Sequence, residues 1–180
     1  KTPETGTSET RKIVERMLGE IEIGKETIAK KYASDLDGFN GDIIVSQESI
    51  ENASKMVPEK LKDDIKFAHE RIKKFAEAQK QSISEFETEL SPGLWAGQKL
   101  IPIQTAGCYV PGGRYAHVAS AIMSITTARV AGVENIIACS APKGEDGPNP
   151  AILYTMNYCG ADKILALGGV QAIASMAVSY

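Results

Sequence analysis

No unbroken apolar run in this 180-residue chain approaches the roughly 20 residues that a membrane-spanning helix requires. No secretory signal is evident either, so the expectation is a soluble, cytoplasmic protein with no membrane partner. Charge of one sign is also lacking. The 20 Lys and Arg are balanced by 23 Asp and Glu, for a net charge of -3. Such a chain has no cationic excess with which to bind nucleic acid or an acidic membrane surface. Histidine is scarce: His69 and His117 are the only two, and neither has a flanking carboxylate cluster of the kind a metal site needs. There are three cysteines, Cys108, Cys139 and Cys159, at spacings that match no metal knuckle and no CxxC pair. They are expected to be reduced structural thiols. The sharper alternative, a catalytic thiol, falls on Cys108, which adjoins a glycine-rich turn. Also absent are the GxGxxG dinucleotide fingerprint, the GxxxxGK[ST] phosphate loop, HExxH and GxSxG.

What is present is an ordinary globular mixture, 43% hydrophobic and 24% charged. It suffices for one domain with a core, or for one domain with a helical appendage. The charge is unevenly spread. Residues 1–90 hold 15 of the 20 basic and 19 of the 23 acidic side chains, whereas residues 91–180 hold 5 and 4. The first half reads as amphipathic helices with wet faces, and the second as α/β structure buried on both sides.

Helical spacing of Ile13, Met17, Ile21, Ile28 and Tyr32 predicts a first helix from Ser8 to about Ser34. A turn over Asp35–Gly41 and a short strand over Ile43–Val45 follow. Ser46 is an N-cap candidate for a short helix, and Pro58 opens another whose inner face carries Leu61, Ile65, Ala68, Ile72, Phe75 and Gln79. After Ser91-Pro92-Gly93 the pattern predicts a strand over Lys99–Gln104, a helix over Val118–Val130 and a strand over Asn135–Cys139. A helix opened by Pro150, a strand over Lys163–Leu167 and a final helix over Val170–Val178 complete the series. Strand and helix alternating in this way argue for a parallel sheet with right-handed crossovers.

Two strand-to-helix junctions carry paired glycines, Gly112-Gly113 and Gly168-Gly169. Glycines let a backbone approach a phosphate or ribose, and the following helix offers free N–H groups. Ligands of open α/β sheets bind at the carboxyl ends of the strands, where both turns fall. Tight turning alone explains paired glycines equally well. Tyr109 is either a ligand contact or a core aromatic. Gln171, in the first turn of the last helix, serves a ligand or the helix end. Arg114 offers a bidentate fork to an anionic substrate or cofactor phosphate, or faces solvent. His117 is a substrate or phosphate candidate, or a residue with a capping or orienting role at the helix start. His69 reads as part of a solvated face and Asp162 as a turn residue.

The stretch GCYVPGGRYAHVASAIMSITTARVAGVENIIACSAP resembles the histidinol dehydrogenase family pattern: Tyr, Ile or Val, Pro-Gly-Gly, a small-residue helix, Ala-Gly and a buried strand. The later stretch CGADKILALGGVQAIASMA is similar to the same family's strand-Gly-Gly-x-Gln-Ala-Ile-Ala pattern. The resemblance covers essentially the whole chain, but the chain covers less than half of such a protein, as an N-terminal fragment would. It implies two successive NAD-dependent oxidations, from a primary alcohol through an aldehyde to a carboxylate, with zinc as a second cofactor. It places Tyr109 and Gln171 on residues that contact the dinucleotide, with Gly112, Gly113, Gly168 and Gly169 shaping the turns around it. It places the general-base Glu-His pair and the zinc ligands beyond residue 180, so no catalytic or metal residue is assigned here, and the isolated fragment is expected to be inactive. It also implies a homodimer at full length.

After Pro-Gly-Gly, Arg114-Tyr115-Ala116-His117-Val118-Ala119 is more similar to the sulfopropanediol dehydrogenase branch, which oxidises 2,3-dihydroxypropane-1-sulfonate to sulfolactate. Oxidation of L-histidinol to L-histidine is the alternative, and a non-catalytic α/β binding module is the second. The expected fold is an incomplete Rossmann-like α/β parallel sheet with helices on both faces. A mainly helical region over residues 1–90 would precede a nucleotide-binding region over residues 91–180.

Overall fold

A computed structural model describes residues 8–112 and 115–180 of the chain. Its first helix, α1, spans Ser8–Asp37 and buries Met17, Ile21, Ala29 and Ala33 along one stripe. Between the two buried pairs the helix bends at Lys25, whose φ of 49° is one a lysine rarely adopts. The Lys25 ammonium then donates to the Val178 carbonyl at 2.8 Å. Ile13, expected on the inner stripe, is exposed, while Ile28 and Tyr32 are half-buried.

Helix α2, Gln47–Met56, begins as predicted, with the Ser46 hydroxyl accepting from the Ser49 N–H at 3.1 Å. Pro58 opens α3, Glu59–Gln81. Ile65 and Ala76 are its buried residues, whereas Phe75 and Gln79 face outward, contrary to the periodicity. His69 is not on a solvated face. It is half-buried with its ring edge-on to Tyr158, centroids 5.1 Å apart, and burial lowers its pKa, helped by Lys73.

An antiparallel hairpin that the sequence reading did not anticipate follows: β1, Phe86–Ser91, and β2, Leu94–Gln98, joined at Pro92-Gly93. The strand expected over Lys99–Gln104 does not form. Pro102 has no N–H to give a ladder, and the next strand, β3, starts at Thr105 and ends at Tyr109.

Three parallel strands make the central sheet in the order β3-β4-β5, with β4 at Asn135–Ser140 and β5 at Lys163–Ala166. Thr105 aligns with Asn135, Tyr109 with Cys139, and Ser140 with Ala166, so the carboxyl ends lie level. The strand expected over Ile43–Val45 shrinks to one antiparallel bridge, Ile44 to Leu165, on the outer edge of β5.

Side-chain alternation sorts the sheet residues onto two faces. Cys108, Ile136, Ala138 and Ile164 pack toward α2, α3 and α6, the last at Pro150–Tyr158. Also on this face is a continuous helix made of α4 (Val118–Ala121), a π-helical turn (Ile122–Thr126) and α5 (Thr127–Ala131). Ile137, Cys139 and Leu165 pack on the other face toward α1 and α7, Gly169–Val178. Each isoleucine or leucine buried this way contributes about 1.5–3 kcal/mol, which is why the strands carry so little charge. The fold is thus an α/β parallel sheet with helices on both faces and a helical N-terminal region.

Arg129 locks the lower end of this sheet. Its guanidinium donates to the carbonyls of Gly160, Val133 and Glu134 and pairs with Asp162. Asp162 also accepts the Ile136 N–H at 2.7 Å, so it ties β4 to the entry of β5 as well as turning the chain. The two crossovers between the strands run over one face, and α7 leaves β5 over the other.

Candidate functional site

Level strand ends bring residues from distant parts of the chain to one mouth. Tyr109 closes β3. It is 37% exposed, so it is not a core aromatic, and its hydroxyl accepts the Gly169 N–H at 3.3 Å. Gly112 sits over the end of β4. A Cβ there would lie 2.3 Å from the Ser140 hydroxyl and 3.1 Å from the Ala141 carbonyl oxygen, so a side chain would fit only if Ser140 moved. A Cβ on Gly168 would lie 2.6 Å from the Ala141 Cβ. Gly169 has φ +56°, and a side chain there would meet the Gln171 Oε1 at 2.9 Å. Tyr109, Gly112, Gly168, Gly169 and Gln171 are therefore linked, directly or through Ser140 and Ala141, into one rim.

Gln171 is 2% exposed in the first turn of α7, and its Nε2 donates to the Asp37 carboxylate at 3.0 Å. Burial pushes the Asp37 pKa up, while hydrogen bonds from Gln171 and the Gly168 backbone pull it back down. The Ser140 hydroxyl is fully buried beneath Gly112 and has no hydrogen-bond partner among the described residues. An orphaned hydroxyl at the carboxyl end of a central strand is unusual, because burying one unpaired costs about 1–3 kcal/mol.

In the sequence Asp37 stands out only as part of the turn over Asp35–Gly41 and Ser140 only as the start of a loop, and neither is marked as a site residue. Ser140 could have been found, since it follows a predicted buried strand at its carboxyl end. Asp37 lies 134 residues from Gln171 and carries no local signal of the contact.

His117 occupies the N-cap position of α4. It is exposed and its side chain makes no capping hydrogen bond, so the expected capping role is not observed. Gly113 and Arg114 lie outside the described residues. Cys108, Cys139 and Cys159 are all buried and unpaired. Burial raises all three pKa values, to about 12 for Cys139 and about 11 for Cys159. Cys108 therefore stays a neutral thiol near pH 7 and lacks the thiolate a nucleophile requires.

Among the described residues, no three His, Cys, Asp or Glu side chains converge to hold a metal ion, so zinc does not fit here. A dinucleotide fits better. Glycine backbone and a tyrosine hydroxyl line one end of a parallel sheet, with the Gln171 amide and the Ser140 hydroxyl buried just beneath. Among the described residues, no helix is long and apolar enough to cross a membrane.

Comparison with known proteins gives this mouth a context. The family pattern described as histidinol dehydrogenase matches residues 1–180. A histidinol dehydrogenase homolog of Pelagibacter ubique is 56% identical over 98% of this chain and 41% of its own length. The sulfopropanediol 3-dehydrogenase of Ruegeria pomeroyi is 51% identical over 98% of this chain and 40% of its own. The crystal structure of histidinol dehydrogenase from Elizabethkingia anophelis superposes with a TM-score of 0.85 at 32% identity, covering 92% of this chain and 38% of that one. The chain spans about two fifths of the length of the curated relatives it matches. On the sequence motifs, the sheet topology and these matches together, this chain belongs to the histidinol dehydrogenase family.

Proposed function

We propose that the mouth formed by Tyr109, Gly112, Gly168, Gly169 and Gln171 binds NAD, and that the chain serves a two-step oxidation of a primary alcohol to a carboxylate. The observation that carries this reading is the Cβ-free rim: at Gly112, Gly168 and Gly169 a side chain would collide with neighbouring atoms, leaving bare backbone at the strand ends. Bound NAD supplies the hydride acceptor. Tyr109 and Gln171 hold and orient it, and the bare backbone lets its polar groups approach the start of α7. The zinc and the general base of the full activity are assigned to parts of a longer protein outside these residues, and that protein is taken to work as a homodimer.

The substrate reading is 2,3-dihydroxypropane-1-sulfonate, giving sulfolactate. The sequence Arg114-Tyr115-Ala116-His117 after the glycine turn supports it, as does 51% identity to a relative named sulfopropanediol 3-dehydrogenase. L-Histidinol is the second reading, favoured by likeness to a solved histidinol dehydrogenase. The test is NADH formation by the zinc-loaded full-length protein with the two alcohols at matched concentration. Preference for the sulfonate, with two NADH formed per substrate, is the expected result. Preference for histidinol removes the sulfonate assignment while keeping the cofactor site, and failure to reduce NAD with either overturns both.

A further inference from the structure

We propose that Asp37 is a positioning residue for the cofactor site: its carboxylate sets the orientation of the Gln171 amide and steadies the Gly168-Gly169 turn. The inference rests on the reading of this mouth as an NAD site. A primary amide can present either its nitrogen or its oxygen to a neighbour, and a buried one needs something to decide. Here the decision is made by a group that accepts hydrogen bonds only. The Gln171 Nε2 donates to Asp37 at 3.0 Å, which turns Oε1 toward Gly169 at the mouth. A ligand then meets a fixed acceptor beside the Gly169 backbone, without first having to order a side chain.

Asp37 is itself held in place. It is the last residue of α1, and just beyond it the Gly38 and Phe39 N–H groups bond back to the Ser34 and Ala33 carbonyls, both at 3.1 Å. Phe39 is buried beneath. The charge is poorly placed for stability alone. It sits at the C-terminal, negative end of a helix dipole, with no basic residue in the last turn and partly out of water. A neutral side chain would serve the fold as well or better, so a carboxylate there points to a task at the site.

The experiment uses the full-length enzyme with Asp37→Asn, Gln171→Ala and the double variant, measuring NAD affinity by fluorescence titration, steady-state kinetics and thermal melting. Asparagine keeps the shape but can offer its own amide in either orientation. Asp37→Asn is expected to weaken NAD binding about fivefold, the scale of one hydrogen bond, and to raise KM for NAD with kcat within about a factor of two. Its melting temperature should equal or exceed that of the wild type. The double variant should bind NAD no more weakly than Gln171→Ala, because the two act through one contact. Wild-type NAD affinity in Asp37→Asn, additive losses in the double variant, or a loss of affinity that tracks a lower melting temperature would each overturn the proposal. These outcomes leave the NAD reading intact if Gln171→Ala is impaired. If Gln171→Ala binds NAD normally, the assignment of Gln171 to the cofactor falls as well.

Discussion

The Tyr109 hydroxyl, at the end of β3, accepts a hydrogen bond of 3.3 Å from the Gly169 N–H at the start of α7, 60 residues further along the chain. One side chain thus spans the mouth of the sheet and leaves its ring partly open to solvent. Tyr109→Phe removes the acceptor but leaves the N–H within reach of water. Stability should fall by no more than about 1 kcal/mol. NAD affinity should fall further, by about tenfold or 1.4 kcal/mol, if the hydroxyl also serves the ligand. Calorimetry and NAD titration on the same variant measure the two losses separately.

Gly112 and Ser140 form a steric pair. Gly112→Ala would drive a methyl group onto the Ser140 hydroxyl, 2.3 Å away, and is expected to destabilise the protein by about 1–3 kcal/mol. Ser140→Ala should be neutral or stabilising on its own, because the hydroxyl it removes is buried without a partner among the described residues. In the double variant the methyl gains room, and a coupling of ~1 kcal/mol or more is expected in denaturant titrations. Strictly additive losses would mean that the Ala141 carbonyl, not Ser140, sets the limit at Gly112.

The Arg129–Asp162 clamp predicts an acid-sensitive contribution. Burial alone would raise the Asp162 pKa, but the Ile136 N–H, the Arg129 hydrogen bond and the Arg129 charge together hold it below its ordinary value. A carboxyl depressed in the folded state stabilises fully above its unfolded pKa, and the contribution fades as pH falls through the lower folded pKa. Asp162→Asn should therefore flatten the loss of melting temperature below about pH 4. The side chain is 45% exposed, so the effect should be modest and weaker in high salt. Arg129→Ala, which strips donors from three carbonyls, should lower stability by about 1–3 kcal/mol at neutral pH.

A polypeptide of residues 1–180 is expected to show no alcohol-dependent NADH formation, since the proposed function assigns the general base and the zinc ligands to other parts of a longer protein. The check is NADH absorbance over hours with both candidate alcohols and added zinc. Measurable turnover would place catalytic groups within these residues and contradict the assignment of the base and the zinc ligands to other parts of the protein.

Regular local patterns were legible in the sequence. The Ser46 cap, the helix-opening Pro58 and Pro150, and the buried strands at Asn135 and Lys163 stand where short-range rules put them. Those rules depend on residues three or four apart, or on a proline's fixed geometry. The misreadings arose where local signals conflict or where partners are remote. Leu100, Ile101 and Ile103 look like strand residues, but Pro102 and the pairing of Thr105 with Asn135 start β3 later. The β1–β2 hairpin was hidden by glutamates at positions 85, 87 and 89. His69 was read from its charged sequence neighbours, although Tyr158, packed against it from α6, decides its burial.

By itself, the sequence determined the alternation of strand and helix, the two-sided burial of the sheet and the glycine turns at its carboxyl ends. All of these are written in periodicity and in the special backbone freedom of glycine and proline. Only the tertiary structure decided that Asp37 faces Gln171, that Ser140 lies unpaired beneath Gly112, and that Tyr109 reaches the start of α7. The reason is physical: a residue's period assigns it to a face. Which distant side chain it meets there depends on how helices and strands pack, and no local pattern of residues carries that information.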